Sequence, residues 1–260
     1  MKYIAGFIGV GNMGGALLNA VSKTCENIAV FDVNDALASE KAKIYSADFC
    51  TMKQLSENSK YVFLGVKPNI IPVVADQIKE YINDETVIVT MAAGVSVESL
   101  ASVIGNDKII RIMPNTPVSV GEGMILYCTG ASVSEEDEKG FVDLMCKAGQ
   151  LDKIDEKMID AAAALSGCGP AFVYMFIDAL ADGAVKCGLP RDKALLYAKQ
   201  TVYGSAFYSM NSDKHPDKLK DEVCSPGGTT IEGVFALEKG AFRHTASSAV
   251  VAAYEKTKLL

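Results

Sequence analysis

Three glycines near the N-terminus have the spacing of a phosphate-binding loop. In "FIGVGNMGG", Gly9, Gly11 and Gly14 form a GxGxxG motif between an apolar run and a helical pattern. Gly9 permits a tight turn, Gly11 lets the backbone approach a pyrophosphate, and Gly14 lets the helix pack on the strand. Free N–H groups at the start of the helix then face the anion. Because a second apolar run, "IAVFD", follows in the expected order, the motif predicts a nicotinamide or flavin dinucleotide site.

Asp32 ends that second run, about 20 residues beyond the loop. A carboxylate at this position accepts hydrogen bonds from both ribose hydroxyls of NAD and repels a 2′-phosphate. The residues that follow, "VNDALASE", offer no arginine for such a phosphate. Asp32 or Asn34 is also a candidate N-cap for the next helix, a role compatible with ribose binding. On this electrostatic ground the sequence favours NADH over NADPH.

Three further turns, "GVKPN", "MAAGVS" and "MPNTP", each follow an apolar run typical of a buried parallel strand. Ligands of open α/β sheets bind at the carboxyl ends of the strands. Taken singly, Lys67 reads as a solvated lysine, Pro68 as the first residue of a helix and Asn115 as a turn residue. Their shared position at the edge of the predicted sheet favours a role in lining the cofactor.

A second glycine-rich corner, "VCSPGGTTIEGVF", lies late in the chain. Thr229 and Glu232 have the spacing of a capping box, and Gly227 and Gly228 leave backbone N–H groups open at a helix start. Such a corner suits a substrate carboxylate. The hydroxyl donors there are Ser225, Thr229 and Thr230. The same residues are also typical of a capped helix after a tight turn. From the residues alone, the substrate-binding and the purely structural interpretations are equally supported.

The side chains that usually move protons or hold metals are scarce. His215 and His244 are the two histidines, and their spacing fits neither a metal site nor a catalytic triad. His215 before Pro216 indicates a helix start. Oxidation of an alcohol needs a lysine, histidine or tyrosine to take the hydroxyl proton, and no candidate presents itself. A protonated imine relaxes this demand, since it accepts a hydride without an acid from the protein.

Composition sets the class of protein. The 260 residues are 49% hydrophobic, enough for two domains. A net charge of -7 without a long run of either sign gives no footprint for nucleic acid or an anionic membrane. Seven cysteines without a CxxC pair fit thiols in a reducing compartment, so we expect a cytoplasmic protein without a metal site. Glycines interrupt the N-terminal apolar run, which argues against a signal peptide.

The order of elements predicts the fold. Apolar runs alternate with helical patterns through residues 1–155, as in a Rossmann-type doubly wound α/β sheet. Residues 156–260 read as helices throughout, and we expect them to form an all-helical domain that buries an apolar face against a second subunit. The apolar stretch from Met158 to Leu189 is interrupted by Pro170 and by charges, so we expect a buried helix and not a membrane span.

The whole chain resembles the pyrroline-5-carboxylate reductase family. The resemblance is carried by "GFIGVGNMGGAL", "VFLGVKPNII", "MAAGVS", "MPNTP", "ALSGCGPAFVY" and above all "KDEVCSPGGTTIEGVFALE", which is similar to the family signature. It implies reduction of the cyclic imine 1-pyrroline-5-carboxylate to L-proline by NAD(P)H, the last step of proline biosynthesis. It also implies a helical dimerisation domain whose dimers assemble further, commonly as decamers. These implications favour substrate binding over a purely structural role for the second glycine-rich corner.

The resemblance also implies roles for individual residues. The pyrophosphate would be held by Gly9, Gly11, Asn12, Met13 and Gly14. The cofactor would be lined by Val66, Lys67, Pro68, Ala92, Ala93, Gly94 and Asn115. The substrate carboxylate and ring nitrogen would be held by Ser225, Gly227, Gly228, Thr229 and Thr230. Thr230 matches the threonine placed beside the ring nitrogen and is the candidate catalytic residue, while Gly169 and Pro170 would line the substrate pocket.

One departure and two alternatives bear on these roles. Many relatives carry polar residues after the second strand and use NADPH well, whereas this chain has Asp32. A β-hydroxyacid dehydrogenase also joins a Rossmann domain to a helical one, but the place of its catalytic lysine is taken here by Val173, which cannot transfer a proton. The second alternative is a non-catalytic NAD(P)-sensing protein, for which the corner would have no use.

Overall fold

The computed structural model describes residues 1–258, which fold into two compact units. The first unit comprises Met1–Gly167 with residues 256–258, and the second comprises Cys168–Glu255. The domain boundary predicted after residue 155 falls at the start of a helix that the first unit retains. The division into 1–155 and 156–260 therefore stays a prediction.

The first unit is built on one eight-stranded sheet. Its strands are β1 (Tyr3–Ile8), β2 (Ile28–Phe31), β3 (Asp48–Phe49), β4 (Ser59–Leu64), β5 (Val87–Thr90), β6 (Ile109–Met113), β7 (Gly123–Thr129) and β8 (Gly149–Lys153). They lie in the order β3-β2-β1-β4-β5-β6-β7-β8. From β3 to β6 all neighbours are parallel, β7 is antiparallel to β6, and β8 is parallel to β7. This arrangement confirms the predicted doubly wound α/β sheet.

Helices connect the strands and form the second unit. Those of the first unit are α1 (Asn12–Val21), α2 (Asp35–Tyr45), α3 (Met52–Asn58), α4 (Ile71–Ile78), α5 (Val97–Ile104), α6 (Glu135–Met145) and α7 (Glu156–Ser166). Short 3-10 segments lie at Pro68–Ile70 and Thr116–Val120. The second unit contains α8 (Gly169–Lys186), α9 (Arg191–Met210), α10 (Pro216–Val223), α11 (Thr229–Lys239) and α12 (Phe242–Thr257).

The central strands are apolar on both faces because helices cover both sides of the sheet. On one face Phe7 stacks on Phe63 with ring centroids 4.5 Å apart. On the other face, Ile8 and Leu64 join the core that α3, α4 and α5 cover. Burial of each such side chain stabilises the fold by about 1.5–3 kcal/mol. The carboxyl ends of β1 and β4 are thus held side by side on a rigid platform.

The second unit leaves much of its apolar surface exposed. Its buried core is a small cluster around Ala181, Ala194 and Ala198, whereas Met175 is 74% and Phe235 is 68% exposed. The expectation that the stretch from Met158 to Leu189 is buried is wrong for the single chain. The stretch contributes to α7, which is partly exposed, and to α8, where Ala181 is the buried residue. Among the described residues, Glu156–Lys186 is the helical stretch long and apolar enough to cross a membrane, judged by length and composition.

Candidate active site

The glycine-rich loop is packed backbone against backbone. Gly9 follows β1 with φ +90°, and its N–H donates to the carbonyl of Phe31 at 2.8 Å. A Cβ on Gly14 would lie 2.1 Å from the Gly9 carbonyl oxygen, and a Cβ on Gly65 would lie 2.3 Å from the same atom. All three positions therefore require glycine. The sequence interpretation missed Gly65, although its place directly after the apolar run of β4 was a usable signal.

The N-terminus of α1 is open to an anion. The helix begins at Asn12 with Gly11 as N-cap, no side chain caps it, and its first turn contains no acidic residue. A Cβ on Gly11 would meet no atom within 4 Å beyond its chain neighbours and the backbone of its own helix, so the space beside Gly11 is open. The first N–H groups of α1 carry the positive end of the helix dipole. The cradle fits the pyrophosphate of a dinucleotide.

Asp32 is held between two loops. Its Oδ2 accepts the N–H of Val10 at 2.9 Å, and its Oδ1 accepts the N–H of Asn34 at 3.0 Å. Of the two N-cap candidates, Asn34 caps α2, because its side chain accepts the N–H of Leu37 at 3.1 Å. Each carboxylate oxygen of Asp32 keeps a second lone pair. The half-buried carboxylate is therefore held in a fixed orientation, and it can still accept hydrogen bonds from ribose hydroxyls.

The turns after β4 and β5 lie at the same edge of the sheet as Gly9, because β1, β4 and β5 are parallel neighbours. Pro68 begins a 3-10 segment with Lys67 as its N-cap, as expected for a proline at a helix start. After β5, Ala92 is buried and Gly94 has φ +74°. The residues brought together at this edge by the two turns are Val66, Lys67, Pro68, Ala92, Ala93 and Gly94. Their contact with a cofactor stays a prediction.

Asn115 follows β6 at this edge, and its side chain is bonded within the first unit. Its Oδ1 accepts the N–H of Met124 in β7 at 2.9 Å. Its Nδ2 donates to the carbonyl of Ser166, the last residue of α7, also at 2.9 Å. The residue was predicted to line the cofactor, which stays a prediction. The structure adds a link between the turn and the end of α7.

The second corner is a type II turn in the second unit. The Gly228 N–H donates to the Ser225 carbonyl at 3.0 Å, with Pro226 and Gly227 at the two central positions and φ +66° at Gly227. Gly228 is the N-cap of α11, which begins at Thr229 and has no side-chain cap. The expected capping box between Thr229 and Glu232 is wrong, because the turn moves the cap one residue earlier and leaves Thr229 inside the helix.

The predicted substrate residues lie at two helix starts of the second unit. Thr229 and Thr230 occupy the first two positions of α11 and are exposed. Gly169 and Pro170 are the first residues of α8, whose N-cap, Cys168, makes no side-chain cap bond. The start of α11 thus presents backbone N–H groups that no side chain caps, a setting that suits a carboxylate. At the start of α8, Pro170 has no N–H and the Ala171 N–H donates to the Cys168 carbonyl at 3.0 Å, so that helix offers fewer open donors.

The histidines take structural positions. His215 is the N-cap of α10, where its Nδ1 accepts the N–H of Asp217 at 3.2 Å, which confirms the predicted helix start. His244 lies in α12. Within residues 1–258, no group of three or more His, Cys, Asp or Glu side chains is placed to hold a metal ion.

Comparison with known proteins shows which family shares this arrangement. The profile "Pyrroline-5-carboxylate reductase dimerisation" matches residues 156–260, and "NADP oxidoreductase coenzyme F420-dependent" matches residues 4–94. The pyrroline-5-carboxylate reductase of Pisum sativum is 38% identical over 263 residues, covering 100% of this chain and 96% of its own. That of Escherichia coli K12 is 38% identical over 268 residues, covering 100% and 99%. The Plasmodium falciparum enzyme, solved with NADP bound, has a TM-score of 0.88 at 34% identity and covers 100% of this chain and 98% of its own.

Proposed function

The chain belongs to the pyrroline-5-carboxylate reductase family, and we propose that it reduces 1-pyrroline-5-carboxylate to L-proline with a hydride from NAD(P)H. Relatives of that name match it at 38% identity over its full length. One observation in the structure carries the proposal: the Ser225–Gly228 turn delivers an uncapped helix start with two exposed threonines, Thr229 and Thr230. A merely structural turn has no need of an open helix start.

The chain's own residues bind and orient the cofactor and the substrate. The α1 N-terminus and the glycine cradle hold the pyrophosphate, while Asp32 accepts hydrogen bonds from the ribose. NAD(P)H, when bound, supplies the hydride. The N–H groups at the start of α11 hold the substrate carboxylate, and the Thr230 hydroxyl contacts the ring nitrogen. That nitrogen is protonated in the imine, so its neighbouring carbon takes the hydride without a proton from the protein.

We propose that NADH is the preferred cofactor. Asp32 is tethered by the N–H groups of Val10 and Asn34, so its carboxylate has little freedom to turn away from a 2′-phosphate. The Plasmodium falciparum relative was solved with NADP, which supports NAD(P)H use in the family. Repulsion by a fixed carboxylate favours the cofactor without the phosphate.

We also propose that the protein works as a homodimer that assembles further, as a decamer by resemblance to the family. The profile matched by residues 156–260 is a dimerisation domain. The large apolar side chains exposed on α8, α9 and α11 need a cover in water, and a second copy supplies it. Analytical ultracentrifugation checks the assembly: a monomer at micromolar concentration would contradict it.

Two other functions have less support. A β-hydroxyacid dehydrogenase needs a proton-transferring lysine, and α8 has Val173 at that place. A cofactor-sensing protein needs the cradle of the first unit but gives no reason for the open start of α11. Turnover of a cyclic imine separates the proposed function from both.

The test follows nicotinamide absorbance with 1-pyrroline-5-carboxylate, using NADH and NADPH in parallel. Thr230→Ala is expected to lower kcat/KM for the imine about tenfold to hundredfold, the value of a hydrogen bond to a charged group. The Kd for NADH should stay within twofold. Thr201→Ala, the same change at an exposed position of α9, serves as the control. Tight cofactor binding without imine turnover would contradict the reductase assignment and favour the sensor.

A further inference from the structure

Helix α7 is fastened at both ends to turns that were predicted to line the cofactor. At its C-terminal end, the Ser166 carbonyl accepts the Nδ2–H of Asn115, in the turn after β6. At its N-terminal end, Oε1 of Glu156 accepts the N–H of Val97, at the start of α5 just after the "MAAGVS" turn, at 2.8 Å. The helix therefore bridges the turns that follow β5 and β6.

Ion pairs from a buried arginine fix the N-terminal half of α7 on β6. Arg111 is only 4% exposed, and its guanidinium donates to Glu156 at 3.0 Å and to Asp160 at 3.2 Å. The side chains of Glu156 and Asp160 are 32% and 45% exposed, so each pair joins a buried cation to a partly exposed carboxylate. At the other end, the Gly167 N–H closes the last turn on the Ala163 carbonyl at 2.8 Å, and the Asn115 side chain holds the Ser166 carbonyl.

The amide of Asn115 is well placed to hold that end. Its oxygen is occupied by the N–H of Met124 in β7, which fixes the orientation of the amide. Its nitrogen is thereby directed at the Ser166 carbonyl, one of the orphan acceptors at the end of a helix. Gly167, the next residue, is the last of the first unit, and Gly169 begins α8. Asn115 thus fixes the point at which the chain leaves the first unit.

We propose that Asn115 is a positioning residue for imine reduction, acting through the end of α7 and not through contact with the cofactor. The proposal rests on the proposed function. The Gly167 N–H closes the last turn of α7 on the Ala163 carbonyl at 2.8 Å, and the bond from Asn115 to the Ser166 carbonyl anchors that turn on the first unit. The segment from Gly167 to Pro170, which carries predicted substrate residues, therefore starts from a fixed place. Without that anchor the last turn of α7 frays more often and productive alignment of the substrate becomes less frequent, while the cradle for the cofactor is unchanged.

The test compares Asn115→Asp with a matched change elsewhere. The variant keeps the acceptor for Met124 but loses the donor, and it sets a carboxylate against the Ser166 carbonyl. In the control, Asn58→Asp, the same change removes a bond from Nδ2 to the carbonyl of Gln54, 2.9 Å long, at the end of α3. Four quantities are measured: kcat with 1-pyrroline-5-carboxylate, Kd for NADH by fluorescence, Tm, and hydrogen exchange of the 163–168 peptide.

We expect Asn115→Asp to lower kcat at least tenfold and to raise exchange at 163–168 at least tenfold, with Kd for NADH within twofold and Tm close to that of the control. A tenfold rise in Kd with unchanged exchange would overturn the proposal and make Asn115 a cofactor contact. Unchanged kcat would also overturn it. If Asn115→Asp does not fold, Asn115→Ala, which removes the bond without adding charge, is held to the same criteria. Lack of turnover by the unaltered protein would instead refute the proposed function.

Discussion

Two glycines only three residues apart should respond in opposite ways to the same added methyl group. A Cβ on Gly11 meets nothing within 4 Å, whereas a Cβ on Gly14 would lie 2.1 Å from the Gly9 carbonyl oxygen. Gly11→Ala should therefore fold normally and place its methyl in the space reserved for the pyrophosphate. Gly14→Ala should damage the loop itself, because neither backbone segment can move away without disturbing β1 or β4.

The magnitudes follow from these contacts. Glycine is preferred to alanine at an N-cap, although neither residue caps with its side chain. The substitution by alanine therefore costs about 0.5–1 kcal/mol. The methyl on Gly11 should remove at least one hydrogen bond to a charged phosphate, about 1.5–3 kcal/mol, which raises Kd roughly tenfold to hundredfold. Overpacking at Gly14 should destabilise the fold by about 3 kcal/mol or more.

The assay pairs NADH fluorescence titration with thermal unfolding at equal protein concentration. Gly11→Ala is expected to keep Tm within a few degrees of the unaltered protein while Kd rises. Gly14→Ala is expected to lower Tm by about 6 °C or more, at roughly 2–4 °C per kcal/mol for a chain of this size. Unchanged NADH affinity in Gly11→Ala would refute the placement of the pyrophosphate at the start of α1.

Asp32→Asn should shift the ratio of kcat/KM for NADPH over NADH upward by roughly 30-fold, since a dianionic phosphate about 4 Å from a carboxylate in water is repelled by about 2 kcal/mol. Asp35→Asn, which removes a charge from the first turn of α2, is the control, and an equal shift there would contradict the role of Asp32. Asp137 gives a pH prediction. Burial raises its pKa, but hydrogen bonds from Lys60, Ser134 and Lys108 outweigh burial and lower it to about 2. Its contribution to stability, about 2 kcal/mol, is therefore full above about pH 4 and lost as pH falls through about 2. Asp137→Asn should destabilise the protein toward urea by that amount at pH 7 and by clearly less at pH 2.5, and an equal loss at both pH values would argue against the ion pairs.

The sequence predicts most of the helices and strands whose ends are marked by proline, glycine or capping residues. Residues 156–260 were expected to be helical, and Pro170, Gly188 and Pro190 mark the start of α8, its end and the start of α9. Strands β3 and β8 escaped prediction, since β3 has two residues, both exposed, and β8 lies at the sheet edge with little apolar content. Such edge strands owe their conformation to a neighbouring strand and not to their own pattern.

The candidate site likewise contains features that the sequence predicts and features that it does not. The glycine loop and the position of Asp32 depend on local spacing, which a single sequence displays. The cap of α11 was assigned to Thr229 because the spacing to Glu232 matches a capping box. The turn that begins at Ser225 shifts the cap to Gly228, a competition that only backbone geometry resolves. The bonds from Arg111 to Glu156 and from Asn115 to Ser166 join residues 45 and 51 positions apart, so no local pattern reveals them.

The most direct test of the central claim is the identity and amount of product. The purified protein is incubated with 1-pyrroline-5-carboxylate and a limiting amount of NADH, and proline is resolved by chiral chromatography while cofactor oxidation is followed by absorbance. The account predicts L-proline in a one-to-one ratio with NADH consumed, because one hydride reduces one C=N bond. Cofactor binding without proline, or NADH oxidation that does not depend on the imine, would contradict it.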